Sequence, residues 1–407
     1  MSFREMKFRD FIAIQRGHDL PESERTFGIY PVVGSAGING YHHIYKANSP
    51  GVTIGRSGAS IAKAFFIDKP FWPHNACLYV KDFKGNNEKF VYYFLKANDF
   101  SNLNSGSAQP SLNRNILYGV KVKIPIRYIQ DKIASILSAY DDLIENNNQR
   151  IKLLEDMAEE IYKEWFVRFR FPGYEDTKFF DKDGKEVPHG TKGAIPEGWE
   201  KVRLDKFIDF EKGVEPGSKN YESEPLDDNY VPFLRVGDLG SRDSNIFIKK
   251  GLSKDKYVRK DDILITLDGT VGKVAMGLEG CYSSGLRKIV YKTDLIKRSF
   301  AYFTLLSANI QGTIQAHAAG TTILHASGST KFMKIALPIE SLLKKFESIT
   351  DSMLDETLIL KDKNQILQDT RDLLLPRLIS GKLSVEDLQL EENQLNMAAE
   401  PRENYNN

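Results

Sequence analysis

Phe8-Arg-Asp-Phe-Ile-Ala-Ile-Gln-Arg-Gly17 decides the fold, because a second version of this stretch occurs at Leu204-Asp-Lys-Phe-Ile-Asp-Phe-Glu-Lys-Gly213. The apolar residues and the closing basic–glycine pair stay in register between the two stretches. A later apolar strand that runs into a glycine turn is also present twice, at Val52–Gly58 and at Ile263–Gly269. Repetition in this order predicts a pseudo-two-fold internal repeat, with two copies of one α/β (α+β) domain.

A helical segment follows each copy. Pro125 and Pro338 suit the starts of the two helices, and Gly173 and Gly381 follow their ends. Apolar residues in each segment recur at steps of three and four, the pattern of a coiled-coil seam. A seam of about 40 residues spans about 60 Å and needs a partner, so the sequence predicts a long antiparallel two-helix coiled coil between the two domains. The seam positions predicted to pack are Ile129, Ile133, Ile136, Tyr140, Leu154, Ile161, Leu342, Phe346, Ile349, Met353, Leu360, Leu367 and Leu374, with Leu143 and Met157 in the same stepping.

Two features interrupt the helical pattern. Asn146-Asn-Asn148 lies within the first seam, and two interpretations are open: a polar seam residue that fixes the register of the helices, or a solvated break in the helix. Pro376 lies near the end of the second helix and should kink its last turns or restart them. Between the first helix and the second copy, residues 172–198 are rich in Gly, Lys, Asp and Pro, which predicts an ordered but irregular linker.

The charge of the chain alternates along its length. Residues 1–124 carry a net charge of +7 and residues 196–337 carry +3, whereas residues 125–171 carry −2 and residues 338–407 carry −6. The basic segments suit a polyanion and the acidic ones suit a different partner, although an excess of Asp and Glu is also common on ordinary helix surfaces. The predicted segments are domain 1 at 1–124, spacer 1 at 125–171, the linker at 172–198, domain 2 at 199–337, spacer 2 at 338–385 and an acidic Asn-rich tail at 386–407.

Motifs of enzymes are missing from the sequence. It has no phosphate loop, no Asn/Asp-Pro-Pro-aromatic motif of an amino methyltransferase, and no His–Glu or Cys–His zinc spacing. Gly34-Ser-Ala-Gly-Ile-Asn-Gly40 lacks the spacing of a dinucleotide fingerprint, so a turn is favoured over a nucleotide site. Cys77 and Cys281 lie far apart, and no signal peptide or bilayer-spanning run is recognisable, which predicts a reducing, cytoplasmic location. The sequence thus predicts a protein without catalytic residues, bound metal or cofactor.

In combination, several stretches resemble the specificity (S) subunits of type I restriction–modification enzymes. They are the twofold repeat, the Ile195-Pro-Glu-Gly-Trp199 entry into the second copy, Pro70-Phe-Trp72, and above all the tail Leu373-Leu-Leu-Pro-Arg-Leu-Ile-Ser-Gly-Lys382. The resemblance covers nearly the whole chain. It implies two target-recognition domains that each read one half of a bipartite DNA site, and two helical spacers that bind two modification (M) subunits.

The resemblance also implies where the chemistry of such a complex takes place. M subunits bind S-adenosylmethionine and methylate adenine, and restriction (R) subunits use ATP and Mg²⁺, so this chain needs no cofactor of its own. Two other functions compete with this interpretation. A stand-alone methyltransferase would need a cofactor loop, and a helical scaffold or adaptor would lack DNA specificity of its own.

Polar residues in glycine-flanked loops after strands are the candidate DNA contacts, because such loops can reach phosphates and base edges. In the first copy the candidates are Arg56, Ser57, Lys63, Ser105, Gln109, Asn113 and Arg114. In the second copy they are Arg235, Asp268, Thr270, Lys273, Arg287, His317, Thr321, Thr322 and His325.

Overall fold

The computed structural model describes residues 3–103, 111–240, 244–320 and 324–386. Its contacts divide the chain into two compact units. Unit 1 comprises residues 1–146 and 363–407, and unit 2 comprises residues 147–362. Each of the two long helices begins in one unit and ends in the other, so both helices contribute side chains to both cores.

Unit 1 is built from short strands and a few helices. Its described strands are β1 (Phe3–Lys7), β2 (Ala13–Arg16), β3 (Tyr30–Gly34), β4 (Gly37–His42), β5 (Gly51–Gly55), β6 (Ala64–Ile67), β7 (Trp72–Pro73), β8 (Cys77–Asp82) and β9 (Lys121–Pro125). Its helices are α1 (Phe8–Phe11), α2 (Glu88–Ala97), α3 (Arg114–Gly119) and the beginning of α4 (Arg127–Tyr162). The strands form sheets in the orders β2-β8-β5-β6, β4-β3-β7 and β1-β9.

Strand β5 lies at the centre of unit 1, with all of its residues buried. Both faces of β5 are covered, since Val52 and Ile54 alternate with Thr53 and all three side chains are buried. The side chain of Asn87 caps the N-terminus of helix α2. The helix packs against β5 and β6. Ile133 and Leu137 of α4 belong to the same core as Leu375 and Leu378 of the second long helix. The core of unit 1 therefore fixes the position of β5 relative to the helices that cross it.

Unit 2 is also built from short strands and a few helices. Its described strands are β10 (Phe179–Phe180), β11 (Glu186–Val187), β12 (Ile195–Pro196), β13 (Glu200–Arg203), β14 (Ile208–Lys212), β15 (Tyr230–Leu234), β16 (Phe247–Lys249), β17 (Tyr257–Val258), β18 (Leu264–Thr266), β19 (Asp268–Gly269), β20 (Val274–Ala275), β21 (Gly280–Tyr282), β22 (Leu286–Tyr291), β23 (Leu324–His325) and β24 (Lys334–Leu337). Its helices are α5 (Arg298–Leu306), α6 (Ala308–Ala316) and the beginning of α7 (Glu340–Ile379). Sheet orders include β14-β22-β18-β20, β16-β15-β21-β17, β13-β24, β19-β23 and β11-β10-β12.

Aromatic side chains form the core where the two helices meet unit 2. Phe346 of α7 is fully buried, with its ring centroid 4.8 Å from that of Phe166 and 5.9 Å from that of Trp165. Phe300 of α5 packs edge-to-face on Phe166 at 5.0 Å. Such pairs add to the large apolar area that each ring buries. Tyr162, the last residue of α4, also packs on Phe346 at 6.1 Å, so the cluster joins α4, α5 and α7 into one core.

Helix α4 passes through the asparagine run without a break and is followed by a π-helical turn over 163–167. Asn147 is buried, whereas Asn146 and Asn148 are exposed. The interpretation as a solvated break is therefore wrong, and Asn147 occupies a polar position on the buried face. Helix α7 likewise continues past Pro376 to Ile379, so the helix does not restart there.

Contacts within each unit give the direction of the helix pairing. In unit 1, Arg371 pairs with Asp141. Lys132, which comes earlier in α4, donates to the carbonyl of Val385, which comes later in the chain, at 3.1 Å. In unit 2, Glu155 pairs with Lys361 at 2.6 Å and the Phe166 ring meets Phe346. Later residues of α4 thus meet earlier residues of α7, so the two helical segments run antiparallel inside each unit.

The seam positions predicted from the sequence are all buried or half-buried, but Leu143 and Met157 are exposed. The expectation for these two residues was wrong. The buried face of α4 passes instead through Leu137, Ile144 and Ile151, which are spaced by seven residues.

The linker is more regular than its composition predicted, since β10, β11 and β12 pair into a small sheet. Cys77 and Cys281 are free and buried, and burial raises the pKa of the Cys77 thiol to about 12. Neither thiol is thereby suited to act as a nucleophile at neutral pH. Over the ranges that the structure describes, the helices are too short or too polar to span a bilayer.

Candidate nucleic-acid interface

The end of β5 brings the predicted residues of unit 1 together. Arg56 follows the strand directly, and its carbonyl accepts from the Leu112 amide at 2.8 Å. Ser57 forms a bridge with Ser111. On the other side, the carbonyl of Lys63 accepts from the last amide of β5 at 2.8 Å. Segments that lie far apart in the sequence therefore meet at one strand end.

Asn113 and Arg114 join this group because they follow directly on the segment that pairs with Arg56. The side chain of Asn113 caps α3 by accepting from the Asn115 amide at 2.9 Å. The Arg114 guanidinium lies 6.0 Å from the ring centroid of Tyr118, within the range of a cation–π contact. Both residues are exposed, so the free amide nitrogen of Asn113 and the Arg114 guanidinium face solvent.

The turn after β5 is held firmly. Gly55 is needed there, because a Cβ would lie only 2.0 Å from the carbonyl oxygen of Ser60. Ser35 Oγ donates to the Ser57 carbonyl at 2.6 Å and so ties the turn to the end of β3. Within the described residues the Arg56 side chain has no hydrogen bond or ion pair. Unit 1 thus presents unpaired positive charge on a rigid strand end.

The end of β18 has the corresponding place in unit 2. The carbonyl of Leu267 accepts from the Ala326 amide at 2.8 Å, and Asp268 pairs with His325 between β19 and β23. Thr266 Oγ1 accepts from the Lys273 amide at 2.9 Å and donates to the carbonyl of Thr270. The predicted residues Asp268, Thr270, Lys273 and His325 therefore lie around one turn.

Arg287 also belongs to this turn, but it is only 5% exposed. Its guanidinium donates to Asp268 Oδ2 at 3.1 Å and to Ser327 Oγ at 2.7 Å, and also to the carbonyls of Ser284 and Leu286. The prediction that Arg287 contacts DNA directly does not fit this placement. A guanidinium with four acceptors inside the protein serves to hold the turn together.

Two predicted residues of unit 2 lie beside the turn. Arg235 Nε lies 3.6 Å from Asp238 Oδ2 and lines an open groove with Tyr221, Ser283 and Gly285. His317 stacks on Phe332, with a centroid separation of 4.2 Å. Ser105, Gln109, Thr321 and Thr322 lie outside the described residues.

Sequence reasoning missed Ser327 and Phe332, which the fold brings to the turn and to His317. Ser327 lies in a short polar stretch, Ser327-Gly-Ser-Thr330, whose composition indicates a loop. The composition does not indicate that Arg287 is the partner of Ser327. Across the ranges that the structure describes, clusters of three or more His, Cys, Asp or Glu side chains able to hold a metal are not found. The side chains on the two strand ends are instead donors and acceptors of the kind that bind phosphates and base edges.

The family model for the type I restriction modification DNA specificity domain matches residues 2–156 and 196–365. The chain belongs to this family of specificity subunits. Because the model matches twice, this specificity subunit has two DNA-recognition domains. The strand ends at β5 and β18 fall one in each matched segment.

Curated relatives agree with this assignment. The specificity subunit is 28% identical over 314 residues to the type I restriction enzyme MjaIX specificity subunit of Methanocaldococcus jannaschii, which covers 74% of this chain and 70% of the relative. It is 25% identical over 384 residues to a putative specificity subunit, S.HindORF215P, of Haemophilus influenzae, which covers 88% and 90% of the two chains. In both cases the similarity spans most of the relative.

A solved structure shares the fold. The crystal structure of the S subunit from M. genitalium superposes with a TM-score of 0.62 over 93% of this chain and 96% of that one, at 16% sequence identity. At this identity the match concerns the fold alone, which is a mixture of helices and sheets.

Proposed function

We propose that each recognition domain of this specificity subunit reads one half of a bipartite DNA site at the end of its central strand. The observation that carries the proposal is the placement of Arg56 and Lys63 at the end of β5, and of Lys273 and His325 at the end of β18. Cations supply affinity through phosphates, and fixed polar side chains discriminate between base edges. Arg287 supports the second site from within, and the other predicted residues remain candidates for contact.

The two domains would be copies of one another, related by approximate two-fold symmetry. The strand order β2-β8-β5-β6 corresponds to β14-β22-β18-β20, and the parallel pair β3-β7 corresponds to β15-β21. We assign domain 1 to residues 1–124 and domain 2 to residues 199–337, with residues 172–198 as the linker. Residues 125–171 and 338–385 would form an antiparallel coiled coil that sets the gap between half-sites, and residues 386–407 would be a tail.

Substitution of Arg56 by Ala should weaken binding to the half-site of domain 1 by roughly 5-fold to 150-fold, the effect of losing about 1–3 kcal/mol from a bidentate contact. The half-site of domain 2 should be read as before. Fluorescence anisotropy of the complex with M subunits, on duplexes with a mutated first or second half-site, measures both effects. Arg56→Lys separates the two kinds of contact, because lysine keeps a phosphate contact but loses the planar fork. Equal weakening on both half-sites would argue against this assignment.

The partners of the helices would be M subunits, which bring S-adenosylmethionine and methylate adenine in a cytoplasmic complex. R subunits, with ATP and Mg²⁺, would join that core, so that this chain directs methylation or restriction without a cofactor or catalytic residues of its own. Each unit exposes several apolar side chains on its long helices. Single exposed apolar residues are ordinary, but a group of them on one element suits a protein partner. In unit 1 these are Leu143, Ile366 and Leu373, and in unit 2 they are Leu153, Met157 and Ile359.

Replacement of Ile366 and Leu373 together by Asp should reduce the affinity for M subunits by about 30-fold or more, since charge would enter an apolar contact worth about 2 kcal/mol. Ile366 is 65% exposed, so the stability of the chain alone should change little. Analytical ultracentrifugation of the chain with M subunits measures the assembly, with exposed Lys363→Ala on the same helix as the matched control. Undiminished assembly of the double variant would place the M contacts elsewhere.

The scaffold alternative is tested by sequencing methylated adenines in a host that carries this chain and its M subunit but lacks the R subunit. We expect one bipartite motif that disappears when the chain is deleted. Methylation without a bipartite motif would favour a scaffold. Methylation by the chain without M subunits would favour an enzyme.

A further inference from the structure

We propose that His325 is a specificity-determining residue of the second half-site, and that Asp268 and Arg287 are its positioning residues. This inference rests on the proposed function of the turn after β18. It assigns to His325 Nε2 a hydrogen bond with a base edge in the DNA groove.

The first step is the immobilisation of Asp268. Arg287 is buried and its planar guanidinium is held by Ser327 Oγ and by backbone carbonyls, so it presents a fixed donor to Asp268 Oδ2 at 3.1 Å. A rigid fork of this kind fixes the plane of a carboxylate. Only Oδ1 of Asp268 is then left to face outward, toward His325.

The second step is the orientation of the imidazole. Asp268 Oδ1 lies 2.7 Å from Nδ1 of His325. A carboxylate only accepts hydrogen bonds, so Nδ1 carries the proton and the ring plane is fixed by this bond. The backbone of His325 is held as well, because its amide and carbonyl both bond to Ala319, at 2.8 Å and 3.0 Å.

The third step is the exposure of the remaining nitrogen. The His325 side chain is 64% exposed, although its backbone and one nitrogen are both fixed. Among the described residues, Nε2 has no hydrogen-bond partner. In the tautomer whose one proton is on Nδ1, the imidazole presents Nε2 as an acceptor, and the complement of that acceptor in the major groove is the exocyclic amino group of adenine or cytosine. An oriented acceptor on a rigid turn reads one base pair, whereas a freely rotating side chain would not.

The buried part of the network, Arg287 with Ser327 and the carbonyls, is sufficient to hold the turn without His325. The Asp268–His325 hydrogen bond adds little to the stability of the fold, because the imidazole is largely exposed and water competes for such contacts. The bond therefore serves the direction of Nε2 more than it serves folding.

The experiment compares adenine methylation, read by genome sequencing, in hosts that carry M subunits with the wild-type chain or with one variant. R subunits are left out so that relaxed specificity does not lead to cleavage. For His325→Ala we expect discrimination at one base pair of the second half-site to fall by about tenfold or more, with the first half-site and the gap unchanged. His325→Gln, which keeps a hydrogen-bonding group, should restore part of that discrimination.

Asp268→Asn distinguishes orientation of His325 from a role in folding alone, because only the former predicts a changed base preference. Its amide can donate to Nδ1 and so transfer the proton to Nε2, which turns the acceptor into a donor. We expect altered preference at the same base pair that His325→Ala relaxes. Exposed His189→Ala in the linker is the matched control and should keep the wild-type motif.

The outcomes separate the inference from the function on which it rests. A wild-type chain without a bipartite motif would overturn the proposed function itself. A wild-type motif that His325→Ala leaves intact, or relaxes at several base pairs or in the first half-site, would overturn the inference alone. If His325→Ala fails to fold, the decision passes to His325→Gln and Asp268→Asn, and the inference fails if these keep the wild-type preference.

Discussion

Removal of residues 142–148 from α4 together with residues 363–369 from α7 should shorten the gap between the two DNA half-sites by about three base pairs. Seven residues of helix span about 10.5 Å, and one base pair occupies about 3.4 Å of duplex. Loss of a whole heptad from each helix keeps the apolar seam in register. The native site should no longer be methylated, and both half-sites should persist at the new gap.

Sequencing of methylated adenines measures the gap directly. The two deletions lie between Asp141–Arg371 in unit 1 and Arg150–Glu356 in unit 2, so they leave these ion pairs in place. A length-matched control replaces exposed residues of the same segments, such as Asp142 and Asn146, by Ala and should leave the gap as it is. An unchanged gap after the double deletion would refute the idea that the helices set the distance.

The strand ends could be predicted from the sequence because their signal is local. Val52–Gly58 and Ile263–Gly269 each combine a buried apolar run with a glycine turn, and a turn after a central strand must lie at the edge of the domain. Residues near these turns, such as Arg56, Lys63 and Lys273, were therefore found. Their partners were not, because Leu112 and Ala326 return to the turn from distant segments.

Arg287 shows why a residue type in the right segment is not enough. It lies in a basic stretch that follows a glycine, which is also the pattern of a DNA contact. Its burial depends on Asp268 and on Ser327, which come 19 residues earlier and 40 residues later in the chain. Such a network becomes visible only when the fold has brought its members together.

Two positions of the helical seam, Leu143 and Met157, were predicted wrongly for a different reason. Leu143 and Ile144 are adjacent apolar residues, and the stepping pattern accepts either of them. Asn147 then completes the buried face with a polar side chain, which hydropathy assigns to the surface. Since an α-helix drifts relative to a repeat of seven residues, the choice among neighbours depends on the partner helix rather than on the segment itself.

Phe346→Ala should reduce the free energy of unfolding of unit 2 by about 3–5 kcal/mol, as expected when a fully buried aromatic side chain is removed and leaves a cavity. The Phe346 ring of α7 meets Tyr162 at the end of α4, Phe166 and Trp165 in the π-helical turn that follows it, and Phe300 from α5, so its loss loosens three helices at once. Collapse of the cavity is opposed by this rigid aromatic surround, which places the effect toward the upper end of the range.

Urea denaturation followed by tryptophan fluorescence can separate the two units. Trp165 and Trp199 lie in the core of unit 2, whereas Trp72 lies in unit 1. Variants with Trp72 replaced by Phe therefore report unit 2, and the Phe346→Ala transition should move to lower urea with little change in slope. Leu226→Ala, at an exposed apolar side chain of the same unit, is the control and should shift stability by less than about 0.5 kcal/mol. Equal shifts for both variants would mean that the aromatic cluster does not hold α4, α5 and α7 together.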